Sequence, residues 1–334
     1  MARLLASLLA AAFGLASLHA EGEALQRIAF GSCAHQDKPQ PIWQAIRAAE
    51  PDLWIWMGDI VYGDTEDMEV LAEKYGQLAK LPGYAALARS TPVIGVWDDH
   101  DYGANNAGKE YLKKAQSQQV LLDFLGVPES SPRRQREGVY HSRVFGPEGR
   151  RVQTILLDAR YHRDSPGPEG DVLGEAQWRW LEERLEEPAA LRLVVSGVQV
   201  LPEEHPYEKW ANFPKARQRL LRLLAAAAGG DIVLLSGDRH IAEISRLDEE
   251  GAPLDAPLYE ITSSSLTHSW TSFPGAPNRY RVGETYAKNN FGLIEIDWKR
   301  RSLVAQIRNA QNQTVRAVEI ELAQPGETVS KRSF

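Results

Sequence analysis

Leu53-Trp54-Ile55-Trp56-Met57-Gly58-Asp59-Ile60-Val61-Tyr62 is the stretch whose reading decides the fold. Its first five residues are bulky and apolar, too few to span a membrane and the right length for a buried strand. Gly58 permits the tight turn that ends the run. Asp59 follows on that turn, and Tyr62 stands three residues on. An acid in this position serves equally as the cap of a following helix or as a metal ligand. Whether other strands end in the same way decides between the two.

Working outward, they do. Arg27-Ile28-Ala29-Phe30 leads into Gly31-Ser32-Cys33, and Pro92 to Trp97 leads into Asp98-Asp99-His100-Asp101. Arg151 to Leu157 ends in Asp158-Ala159-Arg160-Tyr161. Leu191 to Val195 ends in Ser196-Gly197-Val198-Gln199, and Ile232 to Leu235 in Ser236-Gly237-Asp238-Arg239-His240. Helical spacing is expected from Pro41 to Arg47 and over 67–80, 107–125, 174–187 and 214–228. Further strands are expected over 139–145, 241–247, 258–261, 291–298, 302–308 and 314–322. Strands alternating with helices indicate the α/β class. In such sheets the loops at the carboxyl ends of the strands build the site. Helix caps alone do not call for Cys, Tyr and His at those ends. Thr262 to Asn290 reads as a long functional loop, and Val127 to Gly138 as an exposed one, despite Arg133, Arg134 and Arg136.

The 334 residues are 43% apolar and 25% charged with a net charge of −7, ordinary values for a globular chain with a full core. No basic tract suggests a nucleic-acid-binding surface. Arg3, the short apolar run from Leu4 to Leu18 and the small Ala20 describe a signal peptide over residues 1–20. A single domain would then occupy 21–334, in the periplasm or outside the cell, with no transmembrane segment in the mature chain. Cys33 is the only cysteine, so no intramolecular disulfide forms and the thiol is expected to be buried or occupied by a metal.

Carboxylate, imidazole, thiolate and phenolate together suit a divalent and a trivalent ion side by side. Two such ions roughly 3.5–4 Å apart share a bridging ligand, for which Asp59 is the choice. Water between them would lose a proton near neutrality and attack a phosphorus atom in line. Arg160 and His100 would stabilise charge on the transferred group or its leaving oxygen.

Gly58-Asp59-Ile60-Val61-Tyr62, Trp97-Asp98-Asp99-His100-Asp101 and Gly237-Asp238-Arg239-His240 resemble the ordered blocks of the metallophosphoesterase superfamily. With Gly31-Ser32-Cys33 and Asp158-Ala159-Arg160-Tyr161, the chain more narrowly resembles the alkaline phosphatase D (PhoD-like) family, over roughly residues 27–298. The resemblance implies a four-layer α/β/β/α sandwich of the metallophosphatase type and hydrolysis of phosphoric esters outside the cytoplasm. It also implies a binuclear centre of Fe3+ and Ca2+. Cys33, Asp59, Tyr62 and His240 would hold iron, and Asp59, Asp99 and Asp238 would hold calcium. His100 would face the substrate and Arg160 would contact phosphate. Asp99 and Asp238 stand where the wider superfamily has Asn and His, and carboxylates suit a hard ion such as calcium. Departures from the family pattern are the short chain, without an N-terminal accessory domain, and the absence of paired arginines in the leader.

Gln199 lies in a segment able to reach the second metal. His35, Asp37, Asp64, Asp101 and His268 are expected to support the ligands or face solvent. Trp210 and Trp270, in loops, are expected to line a substrate rim. The substrate is a small-molecule or lipid phosphoester, with monoester and diester both open. A serine hydrolase is disfavoured because no Gly-x-Ser-x-Gly occurs. A catalytically inactive calcium-binding structural or adhesion module needs neither Cys33 nor His100.

Overall fold

A computed structural model describes residues 22–248, 256–273 and 275–324. The signal peptide expected over 1–20 and residues 325–334 lie outside the described residues.

The opening stretch forms strand β2 (Leu53–Met57), parallel to β1 (Arg27–Gly31) on one side and β3 (Val93–Val96) on the other. Three antiparallel strands, β11 (Asn290–Asp297), β12 (Ser302–Asn309) and β13 (Thr314–Glu321), complete a six-stranded sheet. Its order is β13-β12-β11-β1-β2-β3. β2 therefore lies one strand from the edge, not at the centre. Its apolar run is continuous because both faces are covered. Trp54 and Trp56 share one face by the two-residue period. They meet Trp43 of helix α1 (Ile42–Ala48) edge-on, at 5.3 and 5.5 Å between ring centroids. Leu53, Ile55 and Met57 take the opposite face.

The second sheet has seven strands: β4 (His141–Phe145), β5 (Val152–Leu156), β6 (Leu191–Ser196), β7 (Asp231–Ser236), β8 (Ala242–Leu247), β9 (Leu258–Ser263) and β10 (Arg281–Tyr286). Their order is β10-β8-β9-β7-β6-β5-β4. Alternation along β6 sorts its side chains: Leu191, Leu193 and Val195 join the core shared with the first sheet. Val194 instead joins Leu234 under helices α6 (Gly174–Leu185) and α7 (Pro214–Ala225). Helix α1, with α2 (Met68–Lys80), α3 (Pro82–Ser90) and α5 (Lys114–Phe124), covers the first sheet. A single turn, α4 (Asp99–Tyr102), follows β3. The result is the four-layer α/β/β/α sandwich.

Three elements depart from the sequence reading. α3 was not expected, although Pro82 at its first turn is a favoured start. The helix expected from Ala107 begins only at Lys114, because 104–113 makes a chain of turns. The long polar stretch 262–290 contains a strand, β10, at the far edge of the second sheet. Among the described residues no helix is long and apolar enough to cross a membrane.

Candidate metal centre

The ends of β1, β2 and β3 deliver Cys33, Asp59 with Tyr62, and Asp98-Asp99-His100. The end of β7, in the other sheet, delivers Asp238 and His240. The two sheets thus meet at one cluster. Cys33 Sγ lies 3.3 Å from Asp59 Oδ2. Tyr62 Oη lies 3.4 Å from the same oxygen and 3.0 Å from His240 Nε2. Donor atoms of Cys33, Asp59 and His240 fall within 4.8 Å of one another. The same holds for Asp59, Asp99 and His100, and for Asp98, Asp99 and Asp238. Asp59 belongs to the first two groups and so lies between two potential ion positions.

The local backbone is unusual. Cys33, Asp59, Asp238 and His240 all have left-handed φ, at 59°, 48°, 66° and 53°. This conformation costs roughly 1–2 kcal/mol per non-glycine residue and persists only where the surroundings enforce it. Here they do. The Asp59 carbonyl accepts the Ala34 N–H at 2.9 Å. Ser264 Oγ accepts the His240 N–H at 3.0 Å and lies 3.1 Å from Cys33 Sγ. Asp101 Oδ1 accepts the N–H groups of Asp98 and Asp59, at 2.7 and 3.2 Å, tying two strand ends together. Gly58 and Gly197 leave room for Asp98, whose atoms would clash with a Cβ at either position.

Asp59, Asp98, Asp99, Asp101 and Asp238 are all buried. Burial, joined by repulsion from neighbouring carboxylates, pushes Asp59 and Asp238 well above the usual carboxylate range. Burial raises Asp98 to about 7, although Arg160 opposes it, and burial also raises the Cys33 thiol. Burial likewise penalises charged Asp99, but Arg160 and His100 outweigh it and hold its pKa low. Burial depresses His240 to about 4, which keeps its imidazole neutral and able to ligate. Asp98 Oδ2 is buried without a hydrogen-bond partner. Clustered carboxylates short of counter-charge, an orphaned oxygen, a thiol and a neutral imidazole are a donor set that fits a pair of cations.

Two expectations need correction. Arg160 does not face the pocket: its side chain is fully buried, with Nε 2.6 Å from Asp98 Oδ1 and Nη2 2.7 Å from Glu208 Oε2. Its charge is matched by these two carboxylates, and through Nε it holds Asp98 in place, while its Nη2 makes no hydrogen bond. Trp210 is no rim residue. It is buried in the second core, donating from Nε1 to Ser196 Oγ at 3.0 Å.

Trp270, by contrast, does line the pocket beside His100, Asp238 and His240. Gln199 donates from Nε2 to Glu243 and Thr262, while its Oε1 is buried without a hydrogen-bond partner. Asp64 accepts from His100 Nδ1 at 2.8 Å, while His35 and His268 pack on the Tyr62 ring.

The pocket, of about 370 Å³, also takes in Asn106, Tyr207, Glu208 and Arg239, none of which the sequence reading gave a role. Arg239 stood inside a quoted block between two ligands, which was a usable signal. Tyr207 and Glu208 belong to an irregular loop that carries none.

A sequence model of the PhoD-like phosphatase family matches residues 28–307. No curated protein matches the chain. Among solved structures, PhoD superimposes with a TM-score of 0.71 at 17% identity, over 90% of this chain and 69% of its own. A purple acid phosphatase, PPD1, from yellow lupin (Lupinus luteus) seeds gives 0.67 at 12%, over 90% of this chain and 54% of its own. A dimetal phosphatase from Danio rerio gives 0.56 at 13%, over 90% and 100%. At these identities the likeness establishes the fold.

Proposed function

The chain belongs to the PhoD-like phosphatase family, and from that premise we propose that it is an exported, metal-dependent phosphoric ester hydrolase. Its substrates would be small-molecule or lipid phosphoesters. The single observation that carries this reading is the sharing of Asp59 between two donor groups.

Cys33, Tyr62 and His240 would hold an Fe3+ ion on one side of Asp59, where thiolate, phenolate and imidazole converge. Asp99 and Asp238 would hold Ca2+ on the other, with Asp98 Oδ2 as an additional hard donor. When bound, such a pair supplies a water acidified towards neutrality and positive charge for the phosphoryl oxygens. The chain's own groups do the rest. Asp101 fixes the turns that carry Asp59 and Asp98. A carboxylate can only accept, so Asp64 assigns the proton to His100 Nδ1 and fixes a ring that lines the pocket. There His100 would give a proton to the leaving oxygen.

The test is release of nitrophenol from p-nitrophenyl phosphate and its bis-ester, before and after dialysis against a chelator. Loss on chelation and recovery with iron and calcium is expected. Activity indifferent to chelation would refute the metal reading. Calcium binding with no hydrolysis of any ester would identify a non-catalytic calcium-binding module.

A further inference from the structure

Arg239 lies between Asp238 and His240 in the chain, but its side chain has a different setting. It is 4% exposed and lines the pocket. Other arginines nearby have carboxylate partners: the buried Arg160 with Asp98 and Glu208, the buried Arg163 with Glu208, and the half-buried Arg281 with Glu243. Among the described residues, Arg239 differs in having no carboxylate within ion-pair distance; its Nε, like Arg163 Nε and Arg160 Nη2, has no hydrogen-bond partner. What holds it is a ring. Its Cζ lies 4.0 Å from the centroid of Tyr207. Tyr207 packs edge-on against Trp270 at 5.2 Å, and the Trp270 backbone N–H bonds the His240 carbonyl at 2.9 Å.

This arrangement engages the face of the guanidinium and leaves its edge open. Stacking on an aromatic ring satisfies the cation from above, while the five N–H donors lie in the plane. Buried donors left unpaired are costly, so the position favours a ligand that completes them. A planar fork of donors matches two oxygens of a phosphoryl group.

We propose that Arg239 is the substrate-oxyanion clamp of this pocket, taking two non-bridging oxygens of the phosphoryl group on its in-plane edge while Tyr207 fixes the guanidinium from behind. The clamp rests on the phosphoesterase reading of the site and gives Arg239 the role that the sequence suggested for Arg160.

The experiment uses the full, metal-loaded chain and measures two quantities: the Kd for inorganic phosphate by titration calorimetry, and KM and kcat on bis(p-nitrophenyl) phosphate. Metal content is determined for every variant. Arg239→Lys keeps the charge and loses the fork; it should weaken phosphate binding and raise KM by about tenfold at unchanged metal content. Tyr207→Leu should weaken phosphate binding by a smaller factor, and Tyr207→Phe, which keeps the ring face, should restore it. Unchanged phosphate affinity in Arg239→Lys and Arg239→Ala would overturn the proposal. So would loss of metal in step with loss of affinity, since Arg239 would then only balance ligand charge. If the wild type hydrolyses no ester but still binds phosphate through Arg239, the clamp stands and the hydrolase reading falls.

Discussion

Gly58 and Asp98 approach so closely that a Cβ on Gly58 would stand 2.7 Å from the Asp98 amide nitrogen and overlap its side chain. The φ of Gly58 is also +92°. Gly58→Ala should therefore destabilise the fold by about 3 kcal/mol, combining backbone strain with overpacking. The same change pushes the β2 and β3 ends apart, so metal content should fall with the melting temperature. Both are read on one preparation, by calorimetry and elemental analysis.

Asp59→Asn keeps the size of the side chain and removes the charge shared by both donor groups. Both ions should be held more weakly, and turnover should drop on the order of a hundredfold or more. Near wild-type turnover with two ions still bound would remove Asp59 from the bridging role.

Ferric iron held by Tyr62 and Cys33 should colour the protein through charge transfer from phenolate and thiolate. Tyr62→Phe should shift or bleach the visible band while leaving calcium content intact. A colourless, iron-free and fully active preparation would show that another metal fills that position.

Glu208 bridges two buried cations, with Oε2 2.7 Å from Arg160 Nη2 and Oε1 2.6 Å from Arg163 Nη1. Removing one member of a buried ion network leaves the others uncompensated, at a cost of about 3–5 kcal/mol. Glu208→Ala should lower the unfolding free energy by that order in urea titrations. A loss below about 1 kcal/mol would mean that the guanidiniums find water or another acceptor.

Burial disfavours the His100 imidazolium, but the hydrogen bond to Asp64 and the charges of Asp99 and Asp98 outweigh it and hold its pKa above the usual histidine value. The stabilisation from this proton is fully present below the unfolded histidine pKa, near 6.5, and is lost as pH rises through the folded value. If His100 is the acid, the alkaline limb of the pH–rate profile follows it. Asp64→Asn should move that limb to lower pH, and bound cations lower both proteins' values without reversing the order. An unmoved limb would assign the proton to another group.

Much of the fold and of the cluster at the strand ends was legible in the sequence, for a physical reason. A strand buried on both faces must be apolar throughout, so Leu53–Met57 and its counterparts stand out, and polar residues at their ends are visible by contrast. Cys33, Asp59, Tyr62, Asp99, Asp238 and His240 all follow such ends. Arg160 was expected at the phosphate because the sequence shows a charge but not its neighbours. Glu208, 48 residues further along, places its Oε2 2.7 Å from Nη2. Trp210 follows an irregular segment, yet its ring turns inward to Ser196. Neither choice leaves a periodic trace. Tyr207 acquires meaning only when a loop brings it over Arg239.

The clustered donors come from both sheets and are separated along the chain by as much as the distance from Cys33 to His240. In an unfolded chain these donors are dilute with respect to one another. Cations bound there would act late, as a rivet through two plates already laid together. Until then the protein would bear its crowded carboxylates unaided, and the compartment in which the plates close would decide which cations it collects.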